Sequence, residues 1–526
     1  MSLQLCVLRH RAQVILQVIA AWTFLLCAFA SKAEVQVLTQ HNDPQRTGAN
    51  LAETVLTPAI VASPSFIQLG SYPVEGQVFA QPLYASGVNV LGKGRRNVLF
   101  VATAHNLLYA YDADQTGKQA LLWSFDAGSG IAANASQLYP GRRSCSGAGQ
   151  GEMPDICPEV GITGTPVVDL AHSTIYFVAL TQPVRDEGCF HTLHAVDIGS
   201  GRSRGSIRIT GSIEGGGTFN SGRQNQRAAL ALMGDRVFVS WAGFGDIPPY
   251  DGLIMSYGTV DSAGGFVKHT QFQVARFNPV LGQRHKSGGI WHSGGGPAID
   301  ERNQFMYVVT GNGASQEAHA GEDFDSSDVK LDTNLRVIDY FTPSFQGLLN
   351  DNDLDLSASG PMIPQEWRDS HGNFVRRLLH GSKQGILYNL NRDNMGHFHD
   401  TATRFSKSVY LTSPIRACHR SRNCTSIARQ LIGKLGTTAG CTWRRTGALA
   451  FVPTDFSTMG SWRLGPFSPR ATIGTDMHST NCRCQPMDRR MACCGRSVVC
   501  RAWSTIHPIP RRRASKVYCL PMMRAV

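Results

Sequence analysis

The feature that most narrows what this chain can fold into is a short strand-and-turn unit that recurs between residues 97 and 392. In its first copy Asn97-Val98-Leu99-Phe100-Val101-Ala102-Thr103 is apolar and β-branched, His105-Asn106 supplies a turn, and a second strand runs from Leu107 to Tyr111. The run then breaks into Asp112-Ala113-Asp114-Gln115-Thr116-Gly117-Lys118 and resumes through Trp123. Asp and Gly suit such a break, because an Asp side chain accepts from nearby backbone N–H groups and Gly tolerates positive φ. One hairpin cannot bury its apolar face alone, so repetition is what a stable fold requires.

The repeats follow. Val167-Val168-Asp169, Ile175-Tyr176-Phe177-Val178-Ala179 and the turn His194-Ala195-Val196-Asp197-Ile198-Gly199-Ser200-Gly201 form a second copy. Val237-Phe238-Val239-Ser240 with Leu253-Ile254-Met255-Ser256-Tyr257 is a third, and Ala298-Ile299-Asp300, Phe305-Met306-Tyr307-Val308-Val309 and Val329-Lys330-Leu331-Asp332 a fourth. Leu378-Leu379-His380-Gly381 and Ile386-Leu387-Tyr388-Asn389-Leu390-Asn391-Arg392 are the fifth. No convincing amphipathic helix interrupts the series. The pattern predicts an all-β chain folded as a β-propeller of four-stranded blades, with a β-sandwich array as the alternative. A chain of 526 residues has room for six to eight blades.

The ends differ from the middle. Arg9, His10 and Arg11 precede an uncharged stretch over residues 12–30 that closes on Ala28-Phe29-Ala30, which reads as a secretory signal peptide, with a retained anchor as the alternative. The expected location is secreted or periplasmic, with no stable membrane span after cleavage. Residues 405–526 hold 20 Lys and Arg against 3 Asp and no Glu, a net of +17, whereas residues 1–404 hold 30 against 35, a net of −5. The tail also has 9 of the 14 cysteines and loses the strand alternation. A nucleic-acid-binding arm and a Cys-rich disulfide or zinc module are two readings of it. The third, a shifted frame in GC-rich coding DNA, accounts for the excess of Arg, Cys, Ser, Pro and Trp with Glu absent. On that reading the tail is atypical or disordered, the propeller is residues 35–404, its closing blades are missing, and no nucleic-acid partner is expected.

Residues 35–400 resemble the secreted bacterial proteins of the quinoprotein alcohol dehydrogenase-like superfamily, whose propeller serves pyrroloquinoline quinone (PQQ) dehydrogenases. The Ala-x-Asp…Thr-Gly-Lys…Trp stretch at residues 110–123 is similar to the family's tryptophan-docking repeat, and Gln40-His41-Asn42-Asp43-Pro44-Gln45-Arg46-Thr47-Gly48 to the lead-in of a PQQ-like subgroup. The resemblance implies PQQ and Ca²⁺ as cofactors and assigns roles residue by residue. Thr310-Gly311-Asn312-Gly313 puts Asn312 forward as a Ca²⁺ ligand beside the quinone. Gly321-Glu322-Asp323 makes Asp323 the base that takes the alcohol proton and a further metal ligand, with Glu322 next. Ser382-Lys383-Gln384-Gly385 makes Lys383 the quinone contact, and Asp353-Leu354-Asp355 falls where the family has an acidic run. Glu187 is the acidic metal ligand by a loose match, and Trp241, or else Trp291, the aromatic floor.

The chain departs from the family in lacking adjacent cysteines in an early blade; Cys145 and Cys157 read instead as a loop disulfide, worth roughly 3 kcal/mol. Two functions are open at this point: a PQQ- and Ca²⁺-dependent oxidoreductase acting on an alcohol or sugar, and a cofactor-free propeller that binds a protein partner as a scaffold. Neither a phosphate loop nor a hydrolase signature stands out. Far-UV circular dichroism of residues 35–400 is expected to give a β spectrum; substantial helix would rule out the propeller.

Overall fold

In the computed structural model the described residues are 35–398, apart from 52, 133–137, 140–153, 183–187, 214–216, 261–263, 275–287 and 314–322, together with the strand Ala514–Val517. The signal segment, Glu187, Glu322, Cys145 and the rest of the tail lie outside them. Cys157 is disulfide-bonded.

Four antiparallel sheets follow one another along the chain. Blade 1 is Leu83–Val90, Gly94–Ala102, Leu107–Asp112 and Leu121–Asp126, and blade 2 is Val167–Asp169, Thr174–Thr181, Phe190–Asp197 and Ser203–Arg208. Blade 3 pairs Gln224–Asn225 and Ala231–Met233 with Arg236–Gly243, then adds Leu253–Gly258 and Lys268–Gln273. Blade 4 is Ala298–Asp300, Phe305–Val309, Asp328–Asp332 and Val337–Thr342, with His397–Phe398 added in parallel at its edge. Arg377–Gly381 and Leu387–Asn391 pair as the core of a fifth blade, which Met362 joins through a bridge to Leu379. The expected propeller is what forms. Helix is confined to Pro58–Val61, Gln346–Asp351 and three 3₁₀ turns among the described residues.

Side chains of a strand alternate between its two faces, and in blades 2, 3 and 4 both faces are covered by a neighbouring blade. In Thr174–Thr181, Ile175, Phe177 and Ala179 pack with Phe100, Leu108 and Ala110 of blade 1, whereas Tyr176 and Val178 pack with Val237, Val239 and Met255 of blade 3. Every residue of that strand is buried. Blade 3 meets blade 4 through Phe238, Ile254, Met306 and Val308, and blade 4 meets blade 5 through Tyr307, Val309, Leu378 and Leu390. The remaining face of blade 1 (Leu99, Val101, Tyr109, Tyr111) is covered by Tyr72–Glu75, the strand that pairs with Ala514–Val517.

The interruption after Tyr111 is a fastener between blades. The Trp123 ring lies against Gly201 of blade 2, where a Cβ would stand 2.6 Å from a ring carbon, and its Nε1 donates to Ile198 O at 3.1 Å. Asp197 holds the receiving turn by accepting from the backbone N–H of Gly199 and Ser200. Gly201 has φ +70°, which with the ring contact leaves no room for another residue.

The lead-in crosses the inner edges of blades 1, 2, 4 and 5. Val37 exchanges hydrogen bonds with Tyr84, Val168 N donates to Leu38 O, Ile299 N to Pro44 O and Ile363 N to Gln45 O. Four blades can meet one such short segment only if they converge, so the lead-in marks the propeller axis. Arg46 is its hub: Nε donates to Pro297 O, Nη1 to Thr39 Oγ1 and Gln40 O, and Nη2 to Leu230 O beside the first strands of blade 3. The guanidinium is buried, and burial lowers its pKa to about 10. Arg46→Met would strand three carbonyls and a hydroxyl, so a loss of about 3 kcal/mol or more is expected. Urea unfolding checks this; a loss under about 1 kcal/mol would mean that water replaces the guanidinium without cost.

Candidate functional site

The second strands of blades 3, 4 and 5 end at Gly243, Val309 and Gly381, and the residues that follow each of them surround one cavity of about 280 Å³. From blade 4, Gly311 and Asn312 enter it; from blade 3, Gly245 and Asp246; from blade 5, Lys383. Asp353, Asp355 and Ser357 come from the connection between blades 4 and 5, Tyr250 and Trp291 supply aromatic wall, and Asp155 completes the acidic lining.

Backbone approach fixes this end of the axis. Gly311 N donates to Gly289 O at 2.9 Å, and a Cβ on Gly311 would sit 3.0 Å from that oxygen. A Cβ on Gly243 would stand 2.5 Å from the Tyr250 ring, and one on Gly313 would stand 2.1 Å from Asp325 Oδ2. Asp325 is itself fully buried, taking Gln346 Nε2 at 2.8 Å and Asn350 Nδ2 at 3.0 Å. This carboxylate therefore holds the Thr-Gly-Asn-Gly turn in place from behind. Asp328 is also fully buried, facing His380 Nε2 at 3.1 Å, so the acidic run after residue 323 serves packing at these two positions.

Lys383 organises the polar groups. Its Nζ donates to Asp353 Oδ2 at 2.7 Å and Asp355 Oδ2 at 3.3 Å, and Asn312 Nδ2 reaches Asp353 Oδ1 at 3.4 Å. Burial works against the Lys383 charge, but the two carboxylates outweigh it and raise its pKa above the ordinary lysine value. Asp355 lies deeper. Burial raises its pKa and the nearby carboxylates of Asp246 and Asp353 add to the rise, against the opposing pull of Lys383. Tyr250 OH donates to Asp246 Oδ1 at 3.0 Å, and burial followed by that carboxylate lifts the phenol well above its usual pKa.

Of the residues put forward from the sequence, Asn312 and Lys383 meet in the cavity. Asp323 is half-buried and is not among the residues that line it. Trp241 is not a floor for any ligand: it has no exposed surface and lies edge-on between His191 at 4.8 Å and Phe219 at 4.7 Å, in the core between blades 2 and 3. The reason is strand parity. Trp241 points to the blade-2 face along with Val237 and Val239. Trp291 takes the cavity position instead. His292 is a packed turn residue, with Nε2 at 2.8 Å from Val309 O, and burial lowers its pKa to about 3. Glu187 and Glu322 fall outside the described residues.

Sequence reasoning missed Asp246, Tyr250 and Ser357. A signal for Asp246 existed, since Gly245-Asp246 follows a second-strand end in blade 3 as Gly311-Asn312 follows one in blade 4. Ser357 offered none.

No protein-family model matches the chain, and no curated protein does. Solved structures do. It is similar to the quinohemoprotein alcohol dehydrogenase of Comamonas testosteroni at 16% identity and TM-score 0.50, over 75% of this chain and 52% of that one. Quinohemoprotein alcohol dehydrogenase ADHIIG of Pseudomonas putida HK5 matches at 14% and 0.45, over 70% and 48%, and a europium-containing methanol dehydrogenase at 14% and 0.47, over 70% and 58%. The chain thus spans about half the length of the structures it matches. At such identity the first likeness bears on the fold alone, a β-propeller.

Removing the central cation tests the electrostatics. Lys383→Met is expected to lower thermal stability at pH 7, because Asp353 and Asp355 then face each other uncompensated. A carboxyl whose folded pKa is raised binds more protons folded than unfolded, so its protonation stabilises the fold as pH falls. The gap in melting temperature between this variant and the unaltered chain should therefore narrow as pH is lowered from 7 toward the ordinary Asp value of 3.8. A gap that stays constant with pH would contradict the ion pairing.

Proposed function

We propose that this chain is a quinoprotein-like propeller that takes a small hydroxyl-bearing molecule, an alcohol or a sugar, into the axial cavity. The observation that carries the reading is the meeting of Asn312, Asp353 and Lys383 from neighbouring blades beside Trp291 and Tyr250. Carboxylates accept from hydroxyl groups, the amide and ammonium donate, and the rings cover C–H faces; a concave site with a few convergent polar groups is the usual form of a small-molecule site. Among the carboxylates put forward, Asp355 is the one placed to take a proton from a bound hydroxyl, since it lines the cavity where Asp323 does not and burial raises its pKa. Export to the periplasm or medium belongs to the proposal and rests on residues 1–30; among the described residues no helix is long and apolar enough to cross a membrane.

The resemblance adds PQQ and Ca²⁺, which would supply the oxidant and the Lewis acid. Asn312 and Lys383 suit them in kind, as a hard oxygen donor and as a cation for a reduced quinone oxygen. Their arrangement does not fit. Lys383 already occupies both Asp353 and Asp355, and among the described residues no three His, Cys, Asp or Glu side chains are grouped to hold a metal ion. No reaction step is therefore derived through either group.

Calorimetric titration of the full chain with glycerol and glucose is expected to give saturable binding that weakens at least tenfold in Asn312→Ala and Asp353→Asn. Dye reduction is then assayed with and without PQQ and CaCl₂. Absence of binding by any polyol would overturn the proposal and leave the scaffold reading. Polyol-dependent dye reduction that requires PQQ and Ca²⁺ and is lost in Asp355→Asn would make the chain a dehydrogenase and show that both groups fit after all.

A further inference from the structure

We propose that acid releases blade 2 from both of its neighbours, through one histidine buried in each of its two interfaces. His191 and His194 stand on the third strand of that blade, Phe190–Asp197, opposite Leu180 and Phe177, so their side chains leave opposite faces of one strand. His194 enters the interface with blade 1, stacked on Phe177 at 5.1 Å with Phe125 edge-on at 5.7 Å. His191 enters the interface with blade 3, set against Trp241 at 4.8 Å and Phe219 at 6.1 Å. Each ring has one nitrogen cut off from solvent and without a hydrogen-bond partner, Nδ1 of His191 and Nε2 of His194. In a neutral imidazole such a nitrogen can carry the lone pair; protonation makes it a donor with nothing to donate to and puts a charge into a largely dehydrated interface.

The charged groups on the adjoining elements offer no counter-ion. Asp197 is paired with Arg204 at 2.7 Å, Asp169 with His172 at 2.7 Å, and Asp126 accepts from Gly128 N. Arg208 lies over the Phe190 ring, Arg236 donates to Thr333 O and Lys268 to Thr210 O, while Arg223 and Arg227, beside the inner strand of blade 3, are cations that oppose a further one. The phenols of Tyr176 and Tyr257, between blades 2 and 3, are kept protonated by burial. Burial alone accordingly lowers the pKa of His191 to about 3 and that of His194 to about 4, from 6.5. The opened blade takes up protons that the closed one refuses, so opening becomes easier as pH falls from 6.5 toward 4, and above 6.5 the effect vanishes. Two other buried imidazoles are placed differently, His292 with Nε2 at Val309 O and His380 of blade 5 facing the Asp328 carboxylate at 3.1 Å.

The test is hydrogen exchange of the unaltered full chain, read by mass spectrometry at about pH 7 and about pH 5 and corrected for the intrinsic rate. Peptides from Thr174–Thr181 and Phe190–Asp197 are expected to exchange at least about tenfold faster at the lower pH, while those from Arg377–Gly381 and Leu387–Asn391 in blade 5 change less than about threefold. The acceleration in blade 2 is expected to be lost in the double variant His191→Phe, His194→Phe and in a second one, His191→Gln, His194→Gln. Equal protection of blade 2 at both pH values would overturn the proposal. So would equal acceleration in blades 2 and 5, which would mean that acid unfolds the ring as a whole. An acceleration that persists in both double variants would overturn it too and move the trigger to His292. Because the first comparison is made on the unaltered chain, the proposal can fail whether or not a variant folds.

Discussion

The rest of the structure hangs on one buried guanidinium. Arg46 has lost almost all of its hydration, and it is stable there because carbonyls of Gln40, Leu230 and Pro297 and the hydroxyl of Thr39 replace the water. Those acceptors belong to the lead-in itself and to blades 3 and 4. A fork of fixed geometry that must satisfy acceptors on separate sheets sets the distance between them, which an apolar side chain could not do. The Gly294-Gly295-Gly296 run is explained in part by the same group: a Cβ on Gly296 would stand 2.7 Å from Arg46 Nη2, and one on Gly295 would press on Gly360 at 3.1 Å. Small residues let the blades close around the cation.

Around that hub the blades stabilise each other by burying both faces of nearly every central strand. This is why the chain reads as continuous apolar runs in Thr174–Thr181 and Arg236–Gly243 rather than as the alternation of a half-exposed sheet. It also makes each blade dependent on its neighbours, as repeat architectures are. The outer strands are different. Ser203–Arg208 alternates between exposed and half-buried positions, as a strand at a sheet edge should.

The architecture is legible in the sequence because it is written in repetition: five copies of one unit, each with its own turn chemistry, leave few alternatives. Trp123 and the Asp197 turn are legible for the same reason. The site is legible only in part. Asn312 and Lys383 stand at strand ends that a propeller brings together, so topology alone predicts their meeting. Trp241 misleads because its place near a strand end says nothing of its parity, and parity decides between cavity and core. The acidic run at residues 323–328 is half packing device, because Asp325 and Asp328 face amide and imidazole groups that lie far away in sequence. Long-range partners of that kind leave no local trace.

The cavity shows why kind and arrangement must be weighed separately. Residue types at Asn312, Asp353, Asp355 and Lys383 suit a calcium-quinone pair, and a comparison of residue types alone would stop there. The distances assign the carboxylates to Lys383. An internal cation at that point does part of what a metal would do, holding two carboxylates close together, but it cannot be exchanged for substrate or polarise a carbonyl as a Lewis acid can. The same propeller scaffold can therefore present a redox centre or a plain small-molecule receptor, according to what fills the position between the ends of three second strands.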